Sequence, residues 1–153
     1  YGDFFSGAEI KNGKVRKIGV NPWRAGYIQH VVNAGQAAQW SDITSWSQAE
    51  YYANGGANYA QGWSMIYFLN TSKEVQKNPA WKKILPTYFN TLKDTYAKEL
   101  KRAGNPTEGL KHQKAGLNAR EAAVEEAFAG VDFREIHDAW EEFVRELEVP
   151  ERD

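Results

Sequence analysis

The sequence predicts a mainly α fold, a compact helical array with one small N-terminal β-hairpin. Three observations carry this expectation. Apolar residues recur at steps of three and four over 79–103 and 132–147. Asn-Pro pairs and a Ser-x-x-Glu pattern stand where helices should open. A single Asn-Gly dipeptide lies between two short alternating segments. A length of 153 residues suits a single domain or subdomain and can bury a sizeable core.

Taken in order, Tyr1-Gly2-Asp3-Phe4-Phe5 reads as the end of an element that begins upstream, so the chain is expected to be a fragment of a longer one. A hairpin over 9–18 follows, turning at Asn12-Gly13, and being only two-stranded it must lean on the helices. Asn21 caps and Pro22 opens a helix over 22–34, which Gly35 ends. Trp40 to Trp46 is expected to be a loop with a short turn. Ser47 and Glu50 have capping-box spacing and start a helix over 47–53, broken by Asn54-Gly55-Gly56. The next helix, 57–70, places Tyr59, Trp63 and Ile66 on one face.

Asn78-Pro79 opens the longest predicted helix, 79–103, with Trp81, Leu85, Tyr88, Leu92, Tyr96 and Leu100 as its apolar stripe. Pro86 must either kink that helix or separate a short first piece from the rest. Residues 105–118 show no clear period and are expected to form a loop. A helix over 119–129 precedes Gly130. The last helix, 132–147, carries Phe133, Ile136, Trp140, Phe143 and Leu147 at regular helical spacing.

Composition excludes several functions. A net charge of −1 removes any overall electrostatic case for nucleic acid. The charge is uneven, with lysines concentrated between Lys73 and Arg102 and glutamates from Glu121 to Glu148, a pattern expected of two solvated helix faces. The absence of cysteine excludes disulfides, thiolate metal sites and a cysteine nucleophile. The apolar run at Met65 to Leu69 is far too short to span a bilayer.

His30, His112 and His137 do not form a His-Glu-x-x-His motif and have no metal-ligand spacing, so no metal is expected within this chain. No nucleophile elbow, phosphate-binding loop or dinucleotide fingerprint occurs. Aromatic residues reach 14%, enough to build a core or to line a cleft. Trp23, Trp40, Trp46 and Trp63 therefore carry an alternative reading, a helical module that binds peptide or glycan in a groove.

Two stretches resemble gluzincin metallopeptidases. Tyr1-Gly2-Asp3-Phe4 looks like the end of their Glu-Gly-x-x-(acidic)-(aromatic) pattern, and Tyr59-Ala60-Gln61-Gly62 is similar to their Tyr-x-x-Gly helix start. With Asn21-Pro22-Trp23-Arg24, Ser47 to Tyr52 and the Phe133 to Phe143 helix, most of the chain resembles the C-terminal helical part of a bacterial domain-of-unknown-function family of this kind.

The resemblance implies a zinc-dependent peptidase whose His-Glu-x-x-His and glutamate ligands precede Tyr1 in the parent protein. Asp3 would accept the ring N–H of a zinc-bound histidine. Tyr59 would donate to the substrate oxyanion, and Trp63 and Tyr52 would line the cleft. The implied partners are a peptide or protein substrate and an upstream catalytic subdomain. Gln61 departs from the aminopeptidase pattern, which carries a basic residue there. The isolated chain is expected to be inactive, and a degenerate scaffold is a further alternative.

Overall fold

The computed structural model describes residues 2–150, with the backbone alone at positions 2 and 3. The fold is mainly α with one small hairpin. A 3-10 turn, Gly2–Gly7, leads into strands β1 (Ala8–Lys11) and β2 (Lys14–Ile18). The helices are α1 (Pro22–Asn33), α2 (Trp40–Ser45), α3 (Gln48–Ala53), α4 (Gly55–Thr71), α5 (Lys73–Lys77), α6 (Ile84–Arg102), α7 (Gly109–Ala127) and α8 (Phe133–Glu146). Contacts group the residues into two compact units, Tyr1–Lys73 with Asp132–Asp153, and Glu74–Val131.

The hairpin turns where its dipeptide demands. Asn12 and Gly13 have φ of 53° and 71°, the left-handed pair that matches strand twist. Glu9 pairs with Lys17 and Ile10 with Val15, which leaves Arg16 as an extra, bulged residue. Both strands are largely exposed, so their anchorage comes from the preceding turn. The Gly19 N–H donates to the Gly7 carbonyl at 2.8 Å, and a Cβ on Gly7 would run into that same Gly19 backbone. Phe4 is buried, its ring 6.3 Å from that of Tyr67.

In the first unit α4 packs on α1, α3 and α8, and α8 also meets α1 and α2. Asn21 caps α1 by accepting from the N–H groups of Trp23 and Arg24, and Asp132 caps α8 in the same way. Such caps contribute about 1 kcal/mol each. The core is aromatic: Trp40 meets Phe68 edge-on at 6.1 Å and Trp140 at 6.3 Å, and Phe68 meets Phe143 at 5.2 Å. Ile28, Val32, Ile136 and Val144 fill the space around these rings. Gln29 closes the far end of α8, donating to the carbonyls of Val144 and Leu147 at 3.0 and 2.8 Å. Those carbonyls stand at the end of α8, where backbone donors run out; the Val144 carbonyl also accepts from the Leu147 N–H at 3.3 Å.

In the second unit Asn78 caps a short 3-10 turn, Trp81–Lys83, rather than a long helix. Helix α6 then begins at Ile84. Pro86 is therefore the third residue of α6, inside the first turn, where its missing N–H costs no bond. The separation of a short piece resolves the proline, and no kink is needed.

Helix α7 packs on α6 and starts ten residues before the expected 119, so most of the segment expected as a loop (105–118) is helical. Its buried side is a stripe of Ala115, Ala119, Ala123 and Ala127. Alanine favours helix but contributes little apolar contrast, so the period is weak in the sequence. Tyr96 and His112 bond at 2.7 Å, and Asn118 donates to Glu99 at 2.9 Å, tying the two helices together. Ala119→Leu would force a larger side chain between these helices. Urea unfolding should show a loss of about 1–3 kcal/mol; an unchanged midpoint would contradict close packing at the alanine stripe.

Candidate functional site

The site is built on the first turns of α4, and three buried polar residues there decide what lies around it. Asn58, Gln61 and Ser64 follow one another at steps of three, and each is buried. The Asn58 amide donates to the Tyr51 carbonyl at 2.8 Å, and the Tyr51 hydroxyl donates to the Asn58 carbonyl at 2.9 Å. The Gln61 side chain accepts from the Ala38 N–H at 3.0 Å and donates to the Ala38 carbonyl at 2.6 Å. The Ser64 hydroxyl donates to the Gln61 carbonyl at 2.8 Å and accepts from the Trp140 indole at 3.1 Å. One helix thus holds α3, the segment before α2, and α8 through separate polar contacts.

The first contact sets the site. It brings Tyr51 and Tyr52 of α3 beside Tyr59 of α4. The Tyr52 and Tyr59 rings stack at 5.9 Å with planes 13° apart, and Tyr51 meets Tyr59 edge-on at 5.6 Å. The Arg24 guanidinium, from the first turn of α1, lies 5.4 Å from the centre of the Tyr59 ring. The Gln48 amide donates to the Tyr52 oxygen at 3.2 Å. That bond, followed by one from the Tyr59 phenol, holds the Tyr52 hydroxyl below the usual range for a phenol. Beneath it, Ser47 and Glu50 form the expected capping box, and its bonds hold the Glu50 carboxyl below its ordinary range.

Tyr59 is half-buried and Tyr52 is exposed, so both phenols belong to one surface. Trp23 and Tyr27 are exposed on α1 as well, at 70% and 47%. Trp63 lies in the core, 1% exposed and stacked on Tyr67 at 5.2 Å. Trp40 is likewise in the core and Trp46 is half-buried, so these tryptophans do not form one open groove. The Asp3 side chain lies outside the described residues.

Gln61 and Gly62 have clear structural reasons. Gln61 is the clamp on Ala38, a geometry that a longer basic side chain would not reproduce. At Gly62 a Cβ would meet the Tyr51 hydroxyl that bonds the Asn58 carbonyl. The glycine of the Tyr-x-x-Gly pattern is thus explained by the packing of α3. Gln61 and Asn58 were missed as organising residues in the sequence; polar residues at a three-residue step within an apolar helix were the available signal.

The histidines stand apart. His30 is exposed in the last turn of α1, and His112 bonds Tyr96. His137 is buried, its Nε2 3.3 Å from the Gln39 amide and 3.5 Å from Glu141. Among the described residues no group of three or more His, Asp or Glu could hold a metal ion. No helix among them is long and apolar enough to cross a membrane. A cleft of about 770 Å³ on the same unit, floored by Tyr67 and Phe143, shares no residue with the tyrosine group.

Comparison with family models, curated proteins and solved structures finds no match. Gly62→Ala tests the local geometry directly. The Tyr51 ring must move, so thermal or urea unfolding should show a loss of about 1–3 kcal/mol. The nuclear Overhauser contacts between Tyr51 and Tyr59 should also weaken. An alanine variant with full stability and unchanged ring contacts would refute this account of the glycine.

Proposed function

We propose that this chain forms one wall of the substrate cleft of a zinc-dependent metallopeptidase and supplies a phenolic oxyanion donor from the tyrosine pair at Tyr59. The observation that carries the reading is the setting of Tyr59. Its ring stacks on that of Tyr52 at 5.9 Å and lies under the Arg24 guanidinium at a half-buried surface, where a core aromatic would need neither. A phenol held by neighbours and placed near a guanidinium suits an oxygen on which negative charge develops. Such a donor is worth roughly 3–4 kcal/mol when it is aimed at the reacting oxygen.

In this proposal the metal ligands lie outside this chain, whose sequence carries no His-Glu-x-x-His motif. Zinc would supply the activated water there. This chain's own part is to donate the hydrogen bond, to wall the cleft through α1, α3 and α4, and to set the orientation of the phenols. Asp3 would hold a zinc-bound histidine through its ring N–H. The exposed Trp23, Tyr27 and Tyr52 favour a second reading, a surface that binds peptide or glycan by stacking without catalysis.

The complete protein, assayed with a peptide substrate, separates the two. Tyr59→Phe keeps the ring and removes one hydroxyl, so kcat should fall about 10²-fold with zinc content unchanged. Full turnover by a zinc-loaded Tyr59→Phe protein removes Tyr59 from the mechanism.

A further inference from the structure

Helix α7 has two faces, and only one of them is packed. Its buried side is the alanine stripe that meets α6. On the opposite side Leu110, Leu117 and Val124 recur at steps of seven, which keeps them in one row down the helix. Leu110 is 85% exposed and Leu117 55%, while Val124 is half-buried. Single exposed leucines are ordinary, but an apolar row about 21 Å long on the outer side of a surface helix is not.

The charges beside this row change sign at its centre. Lys111 and Lys114 precede Leu117, and Glu121 and Glu125 follow it. Lys114 and Glu121 flank the row on the same side, and both are exposed. Neither is in an ion pair among the described residues. Next to Leu117, Gly116 stands in mid-helix, where glycine weakens the helix, yet a Cβ there would meet nothing within 4 Å. Packing within the chain therefore does not account for it. Gly116 opens a cavity of about 600 Å³ lined by Phe89, Leu92, Lys93 and Tyr96 of α6.

We infer that this face of α7 docks on the same face of a second copy of the chain, the two helices antiparallel and crossing at Leu117. The antiparallel sense lays the basic half of each helix on the acidic half of the other. Lys114 then meets the partner's Glu121, and by symmetry the pair forms twice. Leu110 lies against the partner's Val124, and Arg120 on the other flank faces the partner's Gln113. The missing side chain at Gly116 lets the helices approach closely beside the crossing. A parallel pair would instead set Lys114 level with Lys114 and Glu121 level with Glu121. The contact is small, so the dimer is weak and reversible.

Sedimentation equilibrium of the chain from about 10 µM to 0.5 mM should show monomer and dimer in exchange. Leu117→Glu, at an exposed position, should weaken association at least about tenfold with an unchanged circular dichroism spectrum. Lys114→Glu should weaken it as well, and adding Glu121→Lys to that variant should restore it. The sequence has no cysteine, so introduced thiols report the orientation. Under mild oxidation, Leu110→Cys mixed with Val124→Cys should give a disulfide-linked dimer. Leu110→Cys alone, its thiols about 21 Å apart in the pair, should not. A chain that stays monomeric over the whole range, or association that survives Leu117→Glu, overturns the inference. So does a double charge variant that fails to recover, or Leu110→Cys linking to itself as readily as to Val124→Cys.

Discussion

A buried polar group must find a partner, and on α4 that requirement is met three times in succession. Asn58, Gln61 and Ser64 are withdrawn from water on the helix that lies at the centre of the first unit. Leaving any one of them unpaired would cost about 1–3 kcal/mol. Each takes its partner from a different element: Tyr51 on α3, Ala38 before α2, and Trp140 on α8. Apolar packing alone tolerates sliding and rotation of helices against one another. Hydrogen bonds at a fixed three-residue step do not, so this row sets the rotation of α4 and the position of its neighbours. The contact of Gln39 with His137 adds a further tie between the segment before α2 and α8.

The candidate site follows from the first of these bonds. Tyr51 is held to Asn58 by a reciprocal pair of hydrogen bonds, and its hydroxyl lies over Gly62. Tyr52, the next residue along α3, is thereby carried onto the ring of Tyr59. Arg24 arrives from α1, whose first turn is held by the Asn21 cap. The cluster is assembled from rigid elements rather than loops, which limits how far its phenols can drift.

Much of the fold was legible from local chemistry. Asn12-Gly13 placed the hairpin turn, Asn21-Pro22 the start of α1, Ser47 and Glu50 the capping box, and the regular stripe of 132–147 the helix α8. These are short-range signals, and short-range physics fixes them. The first half of α7 was not legible, because its buried face is alanine and its interior holds Gly116. Around α4 the sequence pointed to Tyr59, Trp63 and Ile66 as one face, yet the helix is buried on several sides and its decisive residues are polar. Tyr59 itself was singled out through resemblance, whereas its dependence on Tyr52, Gln48 and Asn58 is tertiary and leaves no periodic trace. Trp63, expected in a cleft, is in the core, stacked on Tyr67 one turn further along the same helix.

Helix α8 belongs to the first unit but is encoded after the second, so the second unit is an insertion between two parts of one core. The bond between Trp140 and Ser64 spans 76 positions, and that between Gln29 and Leu147 spans 118. During synthesis, α1 to α4 therefore emerge well before the indole that satisfies Ser64 and the helix that covers Trp40. The alanine-lined pair α6 and α7 packs chiefly on itself and can form while the earlier helices wait. Until α8 is released, the nascent chain exposes an unfinished aromatic core, the state most open to aggregation and most in need of a chaperone.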